Sequence, residues 1–265
     1  MCIDKSVGEN AVNSRNDVVI VQVLLNFNRP IPLRVVGVDG SIGRETNDAI
    51  REFQSRILKV LKPDGRVDPD GRTLAALRAG LPSFSPSSPN LELILQGIMP
   101  LATSAKIRLY LAHLQAGMAK RGISSALRQA HFLAQLGHES MAFVYAEEVA
   151  SGAAYEGRAD LGNSQPGDGK RFKGRGLIQL TGRNNYVAYG SNIGKNLTDG
   201  DNPTHVATIP SLAVDVACWF WGTKELNALA DADDILGLTQ VVNGGVNGLQ
   251  ERKAYLRRAK FFFKL

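Results

Sequence analysis

The sequence predicts a mainly α-helical protein: a small three-helix domain at residues 1–81, a Pro/Ser linker at 82–91, and a larger helical domain at 92–265. Three observations predict it. Apolar residues recur at steps of three and four in both halves, the period of a helix with one buried face. A doubled turn motif, Asp39-Gly40 and Asp64-Gly65, divides the first half into units. The ten residues from Leu81 to Asn90 hold three prolines and four serines, a composition that stiffens and solvates a chain without giving it a core.

Taken in order, Asp17 to Leu25 reads as the first helix, with Val18, Val21, Leu24 and Leu25 on one side and Gln22 on the other. Each Asp-Gly pair is a tight turn, and a threonine follows each, Thr46 or Thr73, placed to cap the next helix. The second helix covers 47–57, with Ala49, Ile50, Phe53 and Ile57 at helical spacing; the third carries Ala76 and Leu77. Beyond the linker, 104–120 and 124–137 are amphipathic helices, and 209–221 is an apolar run long enough for a buried one. Residues 152–173, rich in glycine and charge, read as a long loop, and loops of that length are commonly functional. The Gly174–Gly176 turn leads into a short extended segment, which puts Ile178 and Leu180 on one side and Gln179 and Thr181 on the other.

Composition narrows the function classes. With 44% hydrophobic and 21% charged residues, the chain has the balance of a globular protein. It contains no run of eighteen apolar residues, and its first residues lack a basic tip followed by an apolar core. Neither a membrane span nor a signal peptide is expected. The net charge of +6 is spread out: 12 Lys and Arg against 10 Asp and Glu in residues 1–85, then 19 against 15. A nucleic-acid binder would concentrate it, whereas a diffuse surplus suits a polyanionic surface. Arg252 to Lys260 is the densest basic segment and reads as a solvated helix face or a binding strip. Cys2 and Cys218 make no disulfide framework, and Cys218, in an apolar run, reads as a buried thiol. The histidines at 113, 131, 138 and 205 have no metal-ligand spacing, so no metal or cofactor is expected.

Two stretches carry chemistry. Gln135 to Ser140 ends an apolar helical run in a carboxylate, Glu139. Gly174 to Tyr186 (GRGLIQLTGRNNY) gathers glycines, amides, a hydroxyl and an aromatic ring into thirteen residues. That inventory suits gripping a sugar and cutting its glycosidic bond. The reaction takes two carboxyl groups: one protonates the leaving oxygen, and the other activates water or attacks the sugar. Glu139 fits the acid, because a partly desolvated carboxyl can keep its proton near neutrality. The second carboxylate is Glu147 or Glu148. Neighbours in an extended segment point opposite ways, so one of them faces the cleft, and composition does not choose which. Glycine lets backbone approach a ligand closely. Gln179, Thr181, Asn185 and Tyr186 supply an amide, a hydroxyl, a second amide and a stacking ring, and Asn243 supplies a third amide from the glycine-rich turn at 241–248.

Two resemblances rest on these motifs. Residues 17–26, 38–54 and the turn from Asp64 to Thr73 resemble a peptidoglycan-binding domain of the three-helix type, over most of residues 10–80. That resemblance implies binding of wall glycan or stem peptide, without chemistry. His138-Glu139-Ser140, residues 174–186 and residues 242–245 resemble the family 19 glycoside hydrolases over most of residues 100–260, and more narrowly their bacterial and phage endolysin members. It implies a lysozyme-like helical fold with a cleft and an inverting, metal-free mechanism. It matches Glu139 to the acid and, nine residues on as in the endolysin members, Glu148 to the base. Thr181 matches the residue that holds the attacking water. His138, Gln179, Asn185, Tyr186, Asn243 and Arg252 fall on substrate-binding positions. Plant members place the second Glu much further along and carry several disulfides; both departures favour a wall-lysing enzyme.

The expected protein is therefore a monomeric, modular hydrolase of bacterial peptidoglycan that cuts β-1,4 bonds of the glycan. Such an endolysin waits in the host cytoplasm until lysis and then acts at the periplasm and wall. The alternatives are a chitinase acting on N-acetylglucosamine polymers, a toxin injected into rival bacteria, and a wall-binding protein on the same fold without activity.

Overall fold

The computed structural model describes residues 2–29, 35–86 and 88–265; Met1 and residues 30–34 of the predicted first domain, and Ser87 of the predicted linker, lie outside them. The protein is mainly helical. Its first part holds helices α1 (Arg15–Phe27), α2 (Arg44–Arg56) and α3 (Arg72–Ala79). A small antiparallel pair, β1 (Val7–Gly8) on β2 (Arg66–Val67), sets Val7 opposite Val67. The larger part holds α4 (Leu91–Ile98), α5 (Ser104–Lys120), α6 (Ala126–Glu139), α7 (Asp168–Arg171), α8 (Arg183–Asn192), α9 (His205–Thr208), α10 (Pro210–Thr223), α11 (Asn227–Asp231), α12 (Ile235–Asn243) and α13 (Leu249–Phe262).

Local chemistry sets several boundaries. The Thr103 hydroxyl accepts from Lys106 N at 3.2 Å and Ser125 accepts from Arg128 N at 3.1 Å, so α5 and α6 begin on capped donors. Asp234 caps α12 the same way, accepting from Gly237 N at 2.8 Å. Thr46 and Thr73 are not caps, contrary to the sequence reading. Both lie inside the first turn of their helices, which start after Gly43 and Gly71.

Their hydroxyls serve a different purpose. Gln22, placed by the sequence on the polar side of α1, is 1% exposed. Its amide donates to Asp39 Oδ1 at 2.9 Å, to the Ser41 carbonyl at 3.1 Å and to Thr46 Oγ1 at 3.2 Å. Its carbonyl accepts from Gly40 N at 2.9 Å. Gln54 of α2 repeats the arrangement on the second turn. It donates to Asp64 Oδ1 at 2.6 Å, to the Arg66 carbonyl at 2.9 Å and to Thr73 Oγ1 at 3.1 Å, and accepts from Gly65 N at 2.9 Å. Each Asp-Gly turn is thus fastened to the preceding helix by one buried glutamine whose hydrogen-bonding groups are satisfied.

The predicted linker is exposed at Ser83, Ser85, Pro86, Pro89 and Asn90, but it is anchored to the fold at several points. Leu81 is 3% and Ser88 7% exposed, and Phe84 stands edge-on to Phe263 with centroids 4.9 Å apart. One phenylalanine among the prolines and serines supplies the apolar surface that composition discounted. Further contacts tie the two parts: α1 packs on α4, Arg257 pairs with Asp4 at 2.6 Å, and Lys264 donates to the Ala79 carbonyl at 3.0 Å.

The scaffold of the site is the pair α6 and α13, which pack along one another. They approach closely because Gly137 faces the Tyr255 ring, where a Cβ would sit 3.0 Å from it. The basic segment at 252–260 is divided: Lys253 and Arg257 are exposed, whereas two of its arginines turn inward. Arg252 is 0% exposed, and Arg258, 9% exposed, donates to the Ile98 carbonyl at 2.8 Å. Burial pushes the Cys218 thiol up to about 12, as suits a packing residue on α10. Among the described residues no single helix is long and apolar enough to cross a membrane.

Candidate active site

Glu139 is the last residue of α6, and its side chain is 15% exposed. The surroundings are not the apolar ones that its helix implied. The guanidinium of Arg252, fully buried on α13, ion-pairs with Glu139 Oε1 and donates also to Gln135 Oε1. Its Nε donates to the Asn247 carbonyl at 3.4 Å. Gln135 and Glu139 lie one turn apart on α6, so a single fork from α13 grips both. Arg252 therefore touches the catalytic candidate and not solvent: it orients the carboxyl. His138 is also held, with Nδ1 2.7 Å from Glu251 Oε2. Its ring lies against the backbone of Gly248, where a Cβ would come within 2.1 Å; Gly248 has φ +72. Only glycine fits there on both counts.

The chain leaves α6 through an unusual reversal. Met141, Ala142 and Phe143 all have positive φ, at 47, 54 and 65. Three consecutive left-handed non-glycine residues store strain, which the surrounding packing must offset. Ala142 and Phe143 are fully buried, and Ser140 ties the turn by donating to the Leu136 carbonyl at 2.6 Å while accepting from Phe143 N at 2.9 Å. This turn redirects the backbone between the two candidate carboxylates.

Glu147 and Glu148 then part. Glu147 accepts from Arg175 Nε at 3.0 Å and pairs with Lys173 at 3.3 Å. Glu148 accepts from the Tyr155 hydroxyl at 3.0 Å through Oε1 and from Gly174 N at 3.1 Å through Oε2. Glu147 is thus engaged by two cations, whereas Glu148 is held by two neutral donors. Burial first, and then the neighbouring Glu148 carboxylate, hold the Tyr155 hydroxyl above the usual tyrosine range.

Residues 174–180 form a tight loop and not the extended segment predicted. Arg175 and Leu180 bridge antiparallel, with Leu180 N donating to the Arg175 carbonyl at 2.8 Å, and Gln179 is left-handed at φ 56. The sidedness nevertheless holds: Ile178 and Leu180 are buried, and Gln179 and Thr181 half-buried. Gly174 sits between Gln179 and Glu148. A Cβ there would lie 2.8 Å from Gln179 Oε1 and 3.3 Å from Glu148 Oε2, so glycine lets the amide and the carboxylate share one spot. Thr181 Oγ1 donates to the Gln179 carbonyl at 2.9 Å, and Asn185 donates to the Thr181 carbonyl at 2.7 Å. Asn243 is exposed at the end of α12, next to Gly244 and Gly245.

Tyr186 corrects the reading of a stacking ring. It is 0% exposed, packs on Phe172 at 5.3 Å, donates to the Lys173 carbonyl at 2.8 Å and accepts from Arg175 at 3.2 Å. Burial pushes its hydroxyl up to about 12, so it stays a neutral donor that shapes the loop from behind. The structure brings together three groups: Glu139 with Arg252 and Gln135, His138 with Glu251 and Gly248, and Glu148 with Gly174, Gln179 and Tyr155. Sequence reasoning missed Gln135, Glu251 and Tyr155. Gln135 was findable, four residues before Glu139 on the same helical face; Tyr155 lies in the loop at 152–173 whose length pointed to function, but nothing in the sequence singles it out within that loop.

Comparison with known proteins agrees with this inventory. The family 19 glycoside hydrolase model, described as chitinase class I, matches residues 120–245. A glycosyl hydrolase family 19 domain-containing protein of Haemophilus influenzae is 31% identical over 170 residues, covering 52% of this chain and 82% of that one. Acidic endochitinase Q of Nicotiana tabacum is 30% identical over 171 residues, covering 54% of this chain; the chain spans 64% of that enzyme, just under two thirds. In fold, chitinase C from Streptomyces griseus superposes with a TM-score of 0.53 at 22% identity, over 65% of this chain and 91% of that one. The chain therefore belongs to the family 19 glycoside hydrolases, and the helical part built around Glu139 is a chitinase-like catalytic domain.

Proposed function

We propose that the protein is a phage-type endolysin that cuts β-1,4 bonds of bacterial peptidoglycan by an inverting mechanism. Glu139, oriented by Arg252, protonates the glycosidic oxygen. Glu148, fixed by Tyr155 and Gly174 N, deprotonates a water on the opposite face of the sugar, and the Thr181 hydroxyl helps to hold that water. Gln179, His138, Asn185 and Asn243 bind the saccharide. The observation that carries the reading is the contrast at 147 and 148: one carboxylate is engaged by Arg175 and Lys173, whereas the carboxylate of its neighbour accepts from the neutral Tyr155 hydroxyl and Gly174 N beside Gln179, Lys173 reaching only its main-chain carbonyl. The three-helix part at 1–81, with its paired glutamine-locked turns, is the wall-binding module in this proposal. It acts as a monomer and reaches the wall from the host cytoplasm once the membrane opens.

A chitinase is the second reading, favoured by the similarity to plant endochitinases such as that of Nicotiana tabacum. Mass spectrometry of products from purified peptidoglycan and from chitin separates the two. New reducing ends from peptidoglycan support the endolysin; release from chitin alone refutes it. Glu139→Gln should abolish lysis while wall pelleting persists, and retained lysis would remove Glu139 from its role.

A further inference from the structure

Away from the two carboxylates, a cavity of about 390 Å³ opens between α3 and α13. Arg78 of α3 and Lys253, Arg257 and Lys260 of α13 line it, over an apolar floor of Leu256 and Phe261. Its cations are incompletely matched. Arg257 has Asp4 and Lys260 has Asp233, one carboxylate each. Lys253 has no ion-pair partner among the described residues. Arg78 lies over the Phe261 ring at 5.3 Å and donates through Nη2 at 2.8 Å to the main-chain oxygen of Leu265, which also lines the cavity.

We propose that this cavity binds an organic phosphomonoester, with its phosphate on Arg78, Lys253 and Arg257 and its apolar substituent on Leu256 and Phe261. Guanidinium forks at Arg78 and Arg257 match the several oxygens of a phosphate, whose charge at neutral pH is about −1.5 to −2. A carboxylate monoanion would duplicate what Asp4 and Asp233 already provide. The floor favours an ester over inorganic phosphate, because the substituent leaves water. The site needs no hydrolytic residue, so its test is independent of the glycosidase reading.

The experiment is calorimetric titration of the full chain with hexyl phosphate, inorganic phosphate and hexanoate. Saturable binding of hexyl phosphate in the millimolar range is expected, tighter than inorganic phosphate and tighter than hexanoate. Lys253→Ala should weaken hexyl phosphate about fivefold with unchanged thermal stability, since the lysine supports nothing in the fold. Arg78→Met, which keeps the stem over Phe261, should weaken it further. Hexanoate binding as tightly as hexyl phosphate, equal affinity in wild type and Lys253→Ala, or no saturable binding in the wild type would overturn the proposal.

Discussion

Replacing Tyr155 with phenylalanine deletes one hydroxyl and little else, which makes it a sharp probe of how Glu148 is held. That hydroxyl donates to Glu148 Oε1 at 3.0 Å, while Oε2 keeps its bond from Gly174 N at 3.1 Å. A hydrogen bond to a charged acceptor contributes about 1.5–3 kcal/mol, and the lower end applies here because Tyr155 is only half-buried. If about 1.4 kcal/mol of that is expressed in the transition state, kcat falls roughly tenfold. KM should stay within about twofold, since the tyrosine holds the base and not the sugar. The assay is initial-rate hydrolysis of soluble glycan oligosaccharide beside thermal denaturation of both proteins. The same geometry makes a spectroscopic prediction. Burial and the Glu148 charge hold the Tyr155 hydroxyl above its ordinary range, so Glu148→Gln should lower its titration midpoint in ultraviolet absorbance. An unchanged kcat in a normally folded Tyr155→Phe protein would refute the positioning role, and a tenfold loss with a collapsed melting temperature would reassign it to the fold.

Three further outcomes are expected. Gln54→Leu keeps the volume but orphans Gly65 N and leaves Asp64, Arg66 and Thr73 without their shared donor, so it should cost about 3 kcal/mol in urea denaturation; a cost below about 1 kcal/mol would contradict the fastening of the turn. Gly248→Ala pushes a methyl to within 2.1 Å of the His138 ring at a left-handed φ, so it should cost about 1–3 kcal/mol and depress glycan hydrolysis, read by melting temperature and rate. His131 is fully buried on α6 with Nε2 2.8 Å from Asp233, and burial holds its pKa below the ordinary histidine value. Its contribution to stability is therefore full above the unfolded value near 6.5 and is lost as pH falls below it. Denaturation at pH 7.5 and pH 5 should show that loss, with a shallower slope in His131→Gln; identical slopes would exclude the histidine.

The helices were legible where one face repeats. The run 104–120 emerged as α5 and 209–221 as most of α10, because burial of a stripe leaves a period that any reader can count. The repeated Asp-Gly turns were legible too, but their fastening was not. Gln22 looks like the polar face of α1, and only the fold shows that the Asp39 turn closes over it. The same limit applied to the loop at 174–180, where alternating residues suggested a strand and the Arg175–Leu180 bridge closes a loop instead.

Of the candidate site, sequence supplied the chemical types and tertiary structure supplied the assignments. The motif at 174–186 named an aromatic ring and could not tell a sugar platform from a buried support; Tyr186 is the support. The tail at 252–260 named five cations, yet two of them, Arg252 and Arg258, are inside the protein. Spacing along one chain determines which side chains share a helix face, because that geometry is local and periodic. It does not determine which face meets which. The grip of Arg252 on Glu139 joins residues 113 positions apart, and the parting of Glu147 from Glu148 depends on Arg175, Lys173 and Tyr155 arriving from other segments. Those contacts form only when α13 packs on α6 and the long loop folds back, so burial and charge at the site are properties of the assembled fold.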